Sequence, residues 1–327
     1  MAELLADGGA AAVDPEHFFR SRPYLDAEGA THTLRIEAED GTALLAPLIV
    51  REVPGAAGAR DAISPYGYPG LVPASPDRGS DLGPSGSQIT TTRDGSALDP
   101  AAVDFSATGL VSAFVRHTLG EPPLAGTTER NVVQIADPAL PAKSRPSDRR
   151  QIRRNLEDGF ELELTPGAET SSAQRVAFLD LYEQTMRRTS AAGRYFFGAA
   201  YFDRVLAAPG TWLAILRDPA GDPAAASLAA VSDGFLHYYL SGSADGHLRA
   251  SPMKNVVACL VELSAELDLP LNLGGGLSRG DALEEFKRGF ANREQAWRTS
   301  ELVCDPVLYD QLSAGKEAGS FFPAYRG

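Results

Sequence analysis

Thr211-Trp-Leu-Ala-Ile-Leu216, Pro223-Ala-Ala-Ala-Ser-Leu-Ala-Ala-Val231 and Phe235-Leu-His-Tyr-Tyr-Leu-Ser241 decide the fold. Each is a short apolar run, and the first two are separated by Asp218 to Asp222 with Gly221 at the tip, which predicts three consecutive antiparallel strands. Upstream, a strand is expected over 160–164 and a helix over 172–188, where Phe178, Leu181, Tyr182 and Thr185 recur at helical spacing. Downstream, Ser251-Pro252 reads as an N-cap and a proline in the first helical position. They open a helix to about 267 with Met253, Val256, Val257, Leu260 and Leu267 inward. A strand over 270–274, a helix over 280–288 and a strand over 296–304 complete the second half.

The first half is less periodic. Residues 33–38 and 42–50 form two strand-like runs around Glu39-Asp40-Gly41, a hairpin in which Gly supplies positive φ at little cost. A long surface loop is expected over about 71–100, rich in Gly, Ser, Pro and Asp. A helix over 101–118 and a strand over 131–136 come next, and Pro141 to Pro146 reads as the crossover.

At 327 residues the chain accommodates about two domains. It has no apolar run long enough to cross a bilayer and no signal-peptide pattern, so the cytoplasm is the expected location. Cys259 and Cys304 lack any spacing that completes a zinc site, and no metal is expected. A net charge of −13 argues against DNA and against non-specific nucleic-acid affinity. Any RNA contact must be local. Lys143 to Arg154 is the one dense basic stretch, six basic residues against Asp148. Of the 30 basic residues only Lys143, Lys254, Lys287 and Lys316 are lysines, so a lysine stands out against an arginine background.

Seven short motifs occur in order. They are Asp61-Ala-Ile-Ser-Pro-Tyr-Gly-Tyr-Pro-Gly70, Arg150-Gln-Ile-Arg-Arg154, Leu181-Tyr-Glu-Gln-Thr-Met-Arg-Arg188, Tyr195-Phe-Phe197, His237-Tyr-Tyr-Leu-Ser-Gly242, Leu273-Gly-Gly-Gly276 and Phe286-Lys-Arg-Gly-Phe290. In this set and order the chain resembles the Fem family of aminoacyl-tRNA-dependent peptidyl transferases, within the GNAT acyltransferases. The resemblance implies an α/β fold, an α+β mixed sheet in two tandem GNAT-like domains, over 1–148 and 149–305, with 306–327 returning to the first. It also implies transfer of an amino acid from charged tRNA to an amine of a cell-wall precursor or a peptidyl natural product. Shared fold does not decide between those acceptors.

GNAT enzymes that use acetyl-CoA carry an R-x-x-G-x-G loop at the start of the central helix, where backbone N–H groups hold pyrophosphate. The matching stretch here, Gly246-His-Leu-Arg-Ala-Ser-Pro252, has no paired glycines. Aminoacyl-tRNA is therefore the expected co-substrate in place of acetyl-CoA, with no bound cofactor. The expected acceptor is small and peptidyl, nucleotide-linked or aminoglycoside-like, and the expected state is a monomer without membrane insertion. Two alternatives stay open: an acyltransferase using an acyl-CoA or carrier-protein thioester, and a non-catalytic GNAT-like binding module.

Aminolysis of an aminoacyl ester needs an uncharged amine and groups that hold the developing oxyanion and the leaving ribose oxygen. Lys287 is the first candidate, since the resemblance places it beside the acyl-donor cleft; the plain alternative is a solvated lysine on a helix dipole. His237 could accept the amine proton, or be a satisfied core histidine. For substrate binding the candidates are Tyr66, Gly67 and Tyr68, then Arg187, Arg188 and Tyr195, and finally Tyr238 and Phe286. Their alternatives are a tight turn, surface charge and packing. Asp61 is an outlying candidate. Arg149, Arg150, Arg153 and Arg154 could track tRNA phosphates, or form a solvated helix face.

Overall fold

The computed structural model describes residues 1–38, 41–74, 97–276, 278–316 and 321–327. Most of the long loop expected over 71–100, and Glu39 and Asp40 of the first hairpin turn, lie outside the described residues. In chain order the first elements are β1 (Ala2–Leu5), α1 (Arg22–Glu28), β2 (His32–Glu37), β3 (Ala43–Glu52), β4 (Arg60–Ile63), β5 (Val72–Pro73), β6 (Ser112–Arg116) and β7 (Thr128–Ala136). They are followed by α2 (Pro146–Glu157), β8 (Glu161–Pro166), α3 (Ser172–Arg188), α4 (Ala199–Leu206), β9 (Thr211–Arg217), β10 (Pro223–Ser232) and β11 (Phe235–Ser243). The last are α5 (Met253–Glu266), β12 (Leu271–Asn272), α6 (Ala282–Arg288), β13 (Arg293–Val303) and α7 (Pro306–Ser313).

The chain folds as two compact units, each α/β with a mixed sheet. Unit 1 holds residues 1–14, 28–130 and 297–327, and unit 2 holds 15–27 and 131–296. Residues 15–27 and 131–148, assigned to the first domain by the sequence reading, thus lie in unit 2, and 297–305 lie in unit 1. The physical reason is visible in α2. Its buried Asn155 bonds Asn255 and the Ala250 carbonyl, so α2 and the chain entering it are held by α5.

In unit 2 the strand order is β7-β12-β11-β10-β9-β8. The three strands that opened the sequence reading are antiparallel neighbours, while β11 and β12 run parallel. From Ala224 to Ala230 β10 is fully buried, because α3 packs on this sheet and so does α5. Five of these seven residues are alanine, which lets helices pack close to the strand. Gly242 on β11 shows how close: a Cβ there would run into the backbone at Leu181 of α3. Helix α3 begins with a capping box in which Ser171 and Gln174 satisfy one another's backbone N–H groups. It buries Phe178, Leu181 and Tyr182. Helix α5 buries Val256, Val257, Leu260 and Leu263.

In unit 1 the order is β1-β2-β3-β4-β6-β13, with β5 on β3. The core gathers Leu34, Ile36, Ala46, Leu48, Val115 and Leu124. The C-terminal residues close it. Asp61, fully buried, accepts from Tyr325 at 3.2 Å, pairs with Arg326 and receives Arg51 at 3.0 Å.

Two local expectations are corrected. The helix expected over 101–118 is absent; two short 3-10 turns, Pro100–Ala102 and Ser106–Thr108, lead into β6. Gly109 at φ 62° stops the turn, and parallel pairing with β4 extends the residues after it. Ser251 does not cap α5: it sits in left-handed backbone at φ 48°, and Pro252 is the capping residue.

Candidate functional site

The parallel pair β11 and β12 is in register only at Leu236↔Leu271 and His237↔Asn272. Beyond that point the chain after β12 turns to β7, where Leu273 N–H donates to Gln134 O at 2.9 Å and Gln134 N–H to Gly274 O at 3.1 Å. The next residues of β11, starting at Tyr238, therefore have no parallel neighbour in register. In the same stretch β11 carries one extra residue against β10, since Leu228 faces Leu240 while Ala229 faces Tyr238.

Lys287 reaches this place from the last turn of α6. Its side chain is 7% exposed. Nζ donates to the Gly275 carbonyl at 2.6 Å and stands 6.0 Å from the centroid of the Tyr238 ring. Burial pulls its pKa from 10.5 down to about 8, against the opposing charge of Asp281. It is therefore not the solvated lysine of the plain alternative. A cation so placed is poised to lose or gain a proton near neutral pH.

Three successive glycines let the neighbouring chain approach closely, and the first of them makes room for the lysine. Gly274 has φ 75°, and a Cβ there would stand 3.1 Å from Nζ. A Cβ at Gly275 would collide with Asn131, whose Nδ2 donates to Gly276 O at 3.0 Å. One at Gly276 would collide with Asp281, the residue whose side chain caps α6. Tyr238 is half-buried and hydrogen-bonded to Ser241 at 2.6 Å, and burial raises its hydroxyl to about 12. It contributes a ring face and a neutral hydroxyl. Phe286 packs on Phe290 with centroids 5.7 Å apart and joins the core around α5.

His237 is a correction. It is 2% exposed, with Phe19 edge-on at 4.9 Å. Nε2 bonds the Ser232 carbonyl at 3.1 Å and Nδ1 bonds Asn272 at 3.0 Å. Burial lowers its pKa to about 4, despite the Ser232 bond and the Asp233 charge. A ring with both nitrogens engaged in a core cannot take a proton from substrate, so His237 is structural. Asp61, clamped in unit 1 between Arg51, Tyr325 and Arg326, is structural as well.

The remaining candidates fall in separate places. Tyr66, Gly67 and Tyr68 lie in unit 1 after β4. Tyr66 is exposed and its N–H is held by Glu28 at 2.9 Å, Gly67 turns the chain at φ 101°, and Tyr68 meets Trp297 edge-on at 5.6 Å. In unit 2, Arg187 is exposed and pairs with Glu183. Arg188 instead ties the end of α3 to β11 through Ser243 O at 3.1 Å and Asp245. Tyr195 is half-buried, with Arg194 over its ring at 4.9 Å. Arg149, Arg150, Arg153 and Arg154 are all exposed on α2.

The inner face of α2 covers the start of α5. Asp148, 6% exposed, pairs with Lys254 at 2.9 Å. Asn255 Nδ2 donates to Ile152 O at 3.2 Å. Sequence reasoning did not single out Asp148, Asn155, Asn255 or Asn272. For Asn255 and Asn272 a polar residue inside an apolar run was the available signal; Asp148 and Asn155 lie in a charged stretch and gave none. Among the described residues no group of three or more His, Cys, Asp or Glu is placed to hold a metal, and no helix is long and apolar enough to cross a membrane.

A mixed sheet whose parallel pair parts beside a helix is the arrangement of GNAT acyltransferase domains, and residues 142–288, a little under half of the chain, match the acetyltransferase (GNAT) domain family. The whole chain has the fold of FemX, with a TM-score of 0.59 over 93% of this chain and 97% of that one at 11% identity. It also matches L-PGS from Bacillus licheniformis, with a TM-score of 0.54 over 88% of each chain at 12% identity. At these identities the likeness is one of fold. No curated protein sequence matches the chain.

Proposed function

We propose that the protein transfers an aminoacyl group from aminoacyl-tRNA to an amine of a peptidyl natural product or a cell-wall precursor. The observation that carries this reading is the start of α5. A coenzyme A diphosphate would need free N–H groups and no competing anion at that helix end. Here α2 packs against that end, with Asn155 donating to the Ala250 carbonyl and Asn255 to the Ile152 carbonyl, and the Asp148 carboxylate already pairs with Lys254 beside it. The outer face of the same helix presents four exposed arginines, suited to a phosphate track outside the cleft.

In this reading the acceptor nitrogen attacks the ester carbonyl carbon. The C–N bond forms, the C–O bond to ribose breaks, and the proton lost by the amine ends on the ribose oxygen. The Lys287 ammonium stabilises the oxyanion and can pass a proton to the leaving oxygen, since its pKa near 8 suits both states. Within unit 2, Arg187 and Tyr195 are assigned to acceptor binding, with Tyr238 and Phe286 beside the donor ester. The donor decides the matter. The purified protein is offered a pool of radiolabelled aminoacyl-tRNAs and, separately, acetyl-CoA. Deacylation or retention of one charged tRNA is the expected result. Tight acetyl-CoA binding with indifference to every charged tRNA would overturn it in favour of thioester chemistry.

A further inference from the structure

His237 has no free nitrogen for substrate, yet its bonds lead to Lys287. The Ser232 carbonyl can only accept, so the His237 Nε2 that faces it at 3.1 Å carries the proton. That leaves Nδ1 unprotonated, an acceptor for Asn272 Nδ2 at 3.0 Å. With its NH2 committed there, Asn272 must present Oδ1 on its other side, where the Gly274 N–H donates to it at 2.8 Å. Gly274, held in left-handed backbone, then directs the following carbonyl, that of Gly275, to Lys287 Nζ at 2.6 Å. Each hydrogen bond in the chain has one permitted polarity, and the first is set by a backbone carbonyl at the end of β10.

The geometry points to His237 and Asn272 as a positioning pair: they orient the Gly274–Gly275 backbone so that its carbonyl holds Lys287 in the gap beside Tyr238. This rests on the reading that Lys287 acts in the transfer. The chain of bonds also explains why a histidine sits in an apolar core. A leucine of similar size would pack there but leave the Ser232 carbonyl and the Asn272 amide to be satisfied otherwise. Protonating His237 would set Nδ1–H against the Asn272 NH2 and force the amide to turn, breaking the bond to Gly274.

The test uses two substitutions at one place. His237→Phe keeps the aromatic contacts with Phe19 and Phe235 but has no polar end, whereas His237→Gln keeps one donor and one acceptor. The pH dependence of Lys287 acylation by acetic anhydride is followed in the intact full-length protein by peptide mass spectrometry, which needs no substrate. In H237F the labelling midpoint of Lys287 should rise by about one pH unit toward an ordinary lysine, because the released amine reaches water. In H237Q it should stay with the wild type. Should H237F not accumulate as folded protein, Asn272→Leu is read in the same way. An unshifted midpoint in the apolar variant, or equal shifts in H237F and H237Q, would overturn the positioning pair. A shift in H237F alone establishes it; if turnover is then unchanged, what fails is the role of Lys287 in the transfer.

Discussion

Both units have a parallel strand pair that, among the described residues, is in register over only two residues: β4 with β6 in unit 1, at Ala62↔Ala113 and Ile63↔Phe114, and β11 with β12 in unit 2. The two pairs end differently. In unit 1 the ends are stitched together by Ser64. Its N–H donates to Phe114 O at 2.9 Å, its Oγ accepts the Arg116 N–H at 3.0 Å, and its carbonyl accepts Arg116 Nη1 at 2.6 Å. In unit 2 the chain after β12 bonds the opposite neighbour, β7, and Lys287 stands beside the strand that is left. The same sheet pattern thus serves as a joint in one unit and as a candidate reaction site in the other. The difference lies in where the chain goes after the paired residues, and in the lysine that stands beside the strand it leaves.

The largest expected effect breaks that comparison at its chemical end. Lys287→Met should lower turnover about 10³-fold, the scale of losing a preorganised oxyanion donor, while melting temperature holds or rises. A loss of turnover matched by loss of folded protein would return Lys287 to a packing role.

A second effect comes from its titration. The folded-state pKa near 8 lies below the ordinary 10.5, so the folded protein sheds this proton earlier than the unfolded chain. The cost of burying the ammonium is therefore complete below pH 8 and disappears as pH rises to 10.5. Between those limits the wild type should gain about 3 kcal/mol relative to K287M, measured as the difference in urea unfolding free energy. Parallel pH profiles for the two proteins would show that Lys287 is not depressed.

The smallest effect sharpens the contrast from unit 1. Arg326→Ala leaves the fully buried Asp61 with Arg51 as its remaining cation. Stability should fall by about 2 kcal/mol in denaturant titration, with the labelling midpoint of Lys287 unmoved.

Much of unit 2 was legible in advance because its signals are local. Periodicity placed α3, β9, β10 and β11 within a residue or two, and Gly221 marked their first turn correctly. Lys287 stood out by residue type and by motif. The helix expected over 101–118 failed because β6 is extended by β4, a partner some fifty residues away that no window of local pattern can contain. His237 was misassigned for a related reason. Whether a histidine is a base or a core residue depends on what meets its two nitrogens, and those partners, Ser232 and Asn272, come from two other strands, β10 and β12.

From composition, spacing and motif order alone came the α/β class, the GNAT element order and the singular lysine, all properties of contiguous residues. Tertiary structure decided the rest. It buried Lys287 against Tyr238, closed the start of α5 with α2 and joined His237 to the lysine through Asn272. Burial and hydrogen-bond polarity are properties of neighbours brought together by folding.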